Sequence, residues 1–291
     1  MFTQEERALL TSNVQQHLAY NCYELSGKSF YLRFDDKRDY FVKFFDEQIA
    51  LFGKVDEVPL LVHYRALKGH ERVYFVHLDL QYKPIYNITF VIDDAENLVT
   101  MVEERQHDAA ELPHWFAVEF TFGYIDKLGY PAPEKRHEYT KDLVGSKIEW
   151  HYCDKDRKTH IYYDEYVRLA HPPVEEMSEG EKAVHKMMIE KGCEPFEEPV
   201  GYVKIKDGVY LVCFCEPNEA HKLDNRGGGG ILLMDLKRTT DVGIFMDVDD
   251  RGNPNFNMVS ADGKFVYNEF PEEKMPSPHD KHYSLDGKTV K

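Results

Sequence analysis

One succession of short, alternating segments occurs twice in this chain, and that duplication constrains the fold more than any other feature. Gly27-Lys-Ser-Phe-Tyr-Leu-Arg-Phe-Asp-Asp parallels Gly145-Ser-Lys-Ile-Glu-Trp-His-Tyr-Cys-Asp. Tyr64-Arg-Ala-Leu-Lys-Gly-His-Glu-Arg-Val-Tyr-Phe-Val parallels Tyr202-Val-Lys-Ile-Lys-Asp-Gly-Val-Tyr-Leu-Val, and Ile88-Thr-Phe-Val-Ile-Asp parallels Gly230-Ile-Leu-Leu-Met-Asp. The order is the same in both halves, as expected for two copies of one structural unit. The segments alternate apolar and polar residues with the period of half-buried strands. Many consecutive strands joined by turns predict antiparallel up-and-down barrels. Closure removes exposed edges, and eight strands can enclose one small ligand.

The expected fold is mainly β: two tandem barrels with an N-terminal helix and one helical insertion. Thr3 and Glu6 form a capping box for a helix over about 3–19, with Leu9, Leu10, Val14 and Leu18 as its apolar stripe. Strands are expected at 29–34, 40–45, 60–66, 72–80, 85–92, 98–103 and 115–124. Gly129 to His137 reads as a linker by its prolines and charges, so the units are placed at 1–132 and 133–291. The second unit continues with strands at 147–152, 159–163, 201–206, 209–215, 231–236, 241–247 and 255–259. Between them, Ser178 and Glu181 make a second capping box, predicting a helix over about 178–191 that crosses a barrel opening. Past Pro271 the polar tail is expected to be loose or to wrap the surface.

The formal net charge of −16 opposes binding to nucleic acid and to anionic lipid. The longest apolar run, Val209 to Cys215, is too short to span a bilayer, and the first residues do not read as a signal peptide. The five cysteines form no Cys-x-x-Cys pair and read as buried free thiols in a cytoplasmic protein. Cys213 and Cys215 share one strand face. No metal site and no cofactor are expected: the histidines lack metal-ligand spacing, and Gly227 to Gly230 is not followed by the residues of a phosphate-binding loop.

The stretch His137-Glu-Tyr-Thr-Lys-Asp-Leu-Val-Gly-Ser-Lys-Ile-Glu-Trp-His-Tyr with Thr159-His-Ile-Tyr resembles the molybdenum cofactor biosynthesis protein F (MoaF) family. So do Tyr202-Val-Lys-Ile-Lys-Asp-Gly-Val-Tyr-Leu, Gly230-Ile-Leu-Leu-Met-Asp-Leu-Lys-Arg and, in the first half, Tyr64 to Asp79. The resemblance spans roughly residues 20 to 270 and implies two calycin-like (lipocalin-like) barrels. The insertion at about 172–198 and the Gly227-Gly-Gly-Gly loop depart from it. A fainter resemblance links Val144-Gly-Ser-Lys-Ile-Glu-Trp-His-Tyr and Lys206-Asp-Gly-Val-Tyr-Leu-Val-Cys-Phe-Cys-Glu-Pro to phenolic acid decarboxylases. It implies that two aromatic side chains on one strand, here Trp150 and Tyr152, and the acidic residue before Gly-Val-Tyr, here Asp207, work in a pocket. The first-half counterparts are Leu32, Phe34 and Glu71.

Strand periodicity points Trp150 and Tyr152 the same way, and His160 and Tyr162 share a face of the returning strand. Asp207, Tyr152 and His160 are therefore the candidate catalytic groups, and Trp150, Tyr162 and Glu71 the candidate substrate contacts. The competing reading is structural: Tyr152 packs, Asp207 serves an Asp-Gly turn, and His160 is a satisfied core histidine. The leading expectation is a cofactor-free, decarboxylase-like lyase acting on a small aromatic or unsaturated acid. The alternatives are a non-catalytic ligand carrier or accessory protein linked to molybdenum cofactor metabolism, and a structural duplication with one inactive barrel. The expected partner is a small organic ligand, and a homo-oligomer is allowed.

Overall fold

The computed structural model describes residues 22–80, 86–106, 116–153, 156–162, 166–170, 172–190, 197–215, 228–248, 254–267 and 285. The expected N-terminal helix lies outside these residues.

The first module is a closed barrel of eight antiparallel strands in sequence order: β1 (Ser29–Phe34), β2 (Asp39–Phe44), β3 (Ile49–Lys54), β4 (Leu60–His70), β5 (Val73–Asp79), β6 (Tyr86–Asp93), β7 (Leu98–Gln106) and β8 (Phe116–Ile125). Pairing of Leu32 with Ile125 and of Phe34 with Gly123 closes the ring. Side chains of one parity fill the interior, with Phe34 stacked on Phe90 and Tyr40 on Phe52. Such aromatic pairs add about 0.5–1.5 kcal/mol each beyond the area they bury.

The short β9 (Glu138–Tyr139) pairs on the edge of the second module. That module comprises β10 (Lys147–Cys153), β11 (Asp156–Tyr162), β12 (Tyr166–Ala170), β13 (Glu197–Lys206), β14 (Val209–Cys215), β15 (Gly229–Asp235), β16 (Thr240–Val248) and β17 (Pro254–Tyr267). β10 pairs with β17, and a β12–β13 ladder from Tyr166 opposite Pro199 to Arg168 opposite Glu197 completes this ring too. The second unit is therefore the same eight-strand barrel as the first.

The turns fix the correspondence between the copies. Glu71-Arg72 joins β4 to β5, and Asp207-Gly208 joins β13 to β14, each after a bulge at the end of the incoming strand. Arg72 and Gly208 take positive φ values of 55° and 80°. Asp93 and Asp235 open the next pair of turns. Asp93 Oδ1 accepts the backbone N–H of Ala95 and Glu96, and Asp235 Oδ1 that of Lys237 and Arg238. On this register Tyr64 matches Val200 rather than Tyr202, a two-residue correction to the repeat expected from the sequence.

The barrels pack side by side through the outer faces of β4–β7 and β13–β16. Leu67, Phe75, Val91 and Val102 meet Leu211, Cys213, Ile231, Leu233 and Ile244 in one core. Two ion pairs cross this seam reciprocally. His70 Nδ1 lies 2.6 Å from Asp235 Oδ2, and Lys206 Nζ lies 2.6 Å from Asp93 Oδ2. His70 and Lys206 are equivalent positions, as are Asp93 and Asp235. Residue i meets j while its counterpart j meets i, the signature of a two-fold interface. Leu285 also packs in the seam, and its carbonyl accepts the Val118 N–H, so this part of the tail is anchored.

The insertion forms α1 (Glu179–Glu190), with the expected capping box: Ser178 N–H donates to Glu181 Oε2, and Glu181 N–H to Ser178 Oγ. Glu181 also binds Arg157 of β11, whose side chain lies on the opposite strand face from His160 and Tyr162. The helix is thus held to the outside of the barrel wall. Among the described residues no helix is long and apolar enough to cross a membrane.

Candidate functional site

The two interiors differ where the sequence repeat is weakest. In the first barrel Leu32, Phe34, Val42, Phe44 and Val99 face inward. Their counterparts in the second are Trp150, Tyr152, His160, Tyr162 and Asp241, all buried. Five apolar positions in one copy are polar or amphipathic in the other. Burying such groups costs free energy unless they are paired.

Most are paired with one another. The Trp150 indole N–H donates to the Tyr162 hydroxyl oxygen at 2.9 Å. Having accepted there, Tyr162 lies 3.3 Å from His160 Nδ1. Burial, helped by the nearby Lys158 charge, lowers the His160 pKa to about 3. The imidazole is therefore neutral at physiological pH, and with its proton on Nε2 its Nδ1 can accept from Tyr162. Burial also raises the Tyr162 hydroxyl well above its ordinary value, so it stays protonated. The ring of Tyr152 lies 6.4 Å from that of His160 and 5.1 Å from Phe245, and His160 meets Phe214 edge-on.

Asp241, at the start of β16, is the carboxylate of this interior. The Tyr152 hydroxyl is 3.1 Å from Asp241 Oδ2, and Oδ1 is buried without a hydrogen-bond partner. Burial raises the Asp241 pKa to about 8, with a further contribution from Asp262 that outweighs the Tyr152 and Ala261 hydrogen bonds. At neutral pH the group is mainly a carboxylic acid. It can hold a ligand acceptor with its proton, or give that proton up.

The expected acidic partner, Asp207, is elsewhere. Its side chain is 85 % exposed on the β13–β14 turn and binds Lys237. Glu71 occupies the equivalent exposed turn of the first barrel. Both are correctly matched as repeat positions, but a residue in a two-residue turn sits beyond the barrel wall and cannot reach the interior. The structure does bring together Trp150, Tyr152, His160 and Tyr162. Asp241 was missed because it opens its strand beside a turn. The signal was its parity with Gly243 and Phe245 and its apolar counterpart, Val99.

The barrel of the first module also bears on family. Residues 9–108 match the MoaF N-terminal domain. The matched stretch takes in β1 to β7 and stops before β8 and the whole second module. The MoaF N-terminal domain match therefore covers the copy with the apolar interior, and the polar interior lies beyond it. No curated protein matches the chain.

Proposed function

We propose that this is a small-molecule-binding barrel protein whose working site is the interior of the second module. One observation carries the reading: polar groups replace apolar ones at five inward positions of a duplicated barrel, leaving Asp241 Oδ1 buried and unpaired. A fold gains nothing from such replacement, since an unmatched buried polar atom costs about 1–3 kcal/mol. A ligand that accepts a hydrogen bond from Asp241 and packs among Tyr152, Phe214 and Phe245 offsets that cost. This describes a small aromatic or unsaturated acid. The MoaF N-terminal domain match supports a carrier or accessory role linked to molybdenum cofactor biosynthesis.

The Asp241–Tyr152 pair favours a second reading, a cofactor-free lyase in which Asp241 takes the acid role first expected of Asp207. A carboxyl with a pKa near the working pH is suited to proton transfer. Equilibrium dialysis against a panel of small aromatic and unsaturated acids, with product analysis of each mixture, tests both readings. Saturable binding lost in Asp241→Asn supports the site, and product formation lost in the same variant adds the lyase. Binding that is unchanged in Asp241→Asn contradicts both.

A further inference from the structure

A second set of buried polar groups lies outside both barrel interiors, at one end of the seam. Arg65 on β4 and His77 on β5 are cross-strand partners, and His77 is in turn the partner of Thr89 on β6. All three lie on the outer face of the first barrel. In the second barrel the corresponding positions are Gly201, Cys213 and Ile231, so this polarity is again confined to one copy.

Arg65 and His77, with Gln48, His63 and Asp79, line a cleft of about 270 Å³. Phe256 of the second module packs on the His77 ring at 5.0 Å, so both modules shape this end of the seam. Arg65 donates to the Phe256 carbonyl at 2.8 Å, and among the described residues it makes no ion pair. Burial lowers its pKa, with Asp79 opposing that shift. His77 is fully buried. Its Nδ1 contacts Thr89 Oγ1 at 3.0 Å, and its Nε2 has no partner. Behind it Glu104 is held largely protonated, its pKa raised to about 8 by burial, and His77 is neutral, its pKa lowered to about 3.

We infer that this cleft is a binding site for a small monoanionic carboxylate, gripped by the Arg65 guanidinium and the His77 Nε2–H. The planar fork of arginine matches a carboxylate, and a charge-assisted bond in a partly buried cleft is stronger than one in water. The charge balance selects a monoanion. Arg65 supplies one positive charge and neutral Glu104 adds none, while Asp79 disfavours a second negative charge on the ligand. The site is separate from the Asp241 interior and does not depend on it.

The test is a titration of the full chain with propionate, benzoate and inorganic phosphate, followed by NMR of the Arg65 Nε and His77 ring nitrogens. Both carboxylates should shift these signals saturably, with phosphate at least about tenfold weaker. Binding should vanish in Arg65→Gln and persist in Asp241→Asn. If Arg65→Gln does not fold, Arg65→Lys, which keeps the charge without the fork, should bind about tenfold more weakly than the parent. No shift at any carboxylate concentration, tighter binding of phosphate, or affinity unchanged by both Arg65 variants would overturn the inference. Loss of binding in Asp241→Asn alone would assign the carboxylate to the barrel interior instead, and would equally overturn it.

Discussion

Gly263 lies against Trp150 so closely that a β-carbon there would fall 2.5 Å from the indole Cζ3 and 2.6 Å from Cε3. The two residues are register partners across β10 and β17. Their counterparts in the first barrel are Leu32 and Ile125, also register partners. The copies thus made complementary exchanges: a large ring with no side chain opposite in one, two aliphatic side chains in the other. Trp150 could enter the second barrel only with glycine at 263, and it brought the N–H that now holds Tyr162.

Gly263→Ala should therefore overpack the second barrel. Inserting a carbon into a filled interior costs about 1–3 kcal/mol. Urea denaturation should show that loss, and adding Trp150→Leu should recover part of it. An alanine variant as stable as the parent would mean that the ring shifts freely.

The pH dependence of stability follows from Asp241. Its carboxyl rises from an ordinary 3.8 to about 8 on folding, so the folded chain keeps a proton that the unfolded chain loses. The associated stability is fully present below about pH 4, declines as the pH rises, and is gone above about 8. His160 acts oppositely: its pKa falls from 6.5 to about 3, so its contribution is lost as the pH drops through that range. Between pH 5 and 7 the parent should lose roughly 1.4 kcal/mol per pH unit more than Asp241→Asn does. Parallel stability curves from urea titrations at stepped pH would contradict the protonated state assigned to Asp241.

The reciprocal seam pairs predict matched costs. Asp235 serves two turn N–H groups and His70 at once, and Asp93 serves two turn N–H groups and Lys206. Both carboxylates are fully buried. Asp235→Ala and Asp93→Ala should each lose about 2–4 kcal/mol in urea denaturation, because each strands several partners. A loss below about 0.5 kcal/mol for either would show that its pair does not hold the seam.

Alternation made the strands and the duplication legible, because a period of two survives sequence divergence wherever one face is buried. Trp150, Tyr152, His160 and Tyr162 were likewise legible as a group, since hairpin parity alone sets them on one face. Three things were not. β3 carries Gly53, where a β-carbon would lie 2.8 Å from Pro59 Cα, so its strand state rests on a close approach of distant backbone. β12 is five residues long and is fixed by ladders on both sides. Asp207 was misplaced because the acidic residue of a turn can match a motif in sequence yet stand outside the wall. The role passes to Asp241, whose partner Tyr152 lies 89 positions earlier in the chain.

Tryptophan fluorescence tests the central claim most directly. With Trp115→Phe, Trp150 becomes the sole indole in the chain, and it sits in the second barrel. Titration with small aromatic and unsaturated acids should change its emission saturably. The change should be lost when Asp241→Asn is added, and retained with Asp207→Asn or Arg65→Gln. Emission unaffected by every acid, or a response that survives Asp241→Asn and vanishes with Asp207→Asn, would contradict the assignment of the site to the interior of the second barrel.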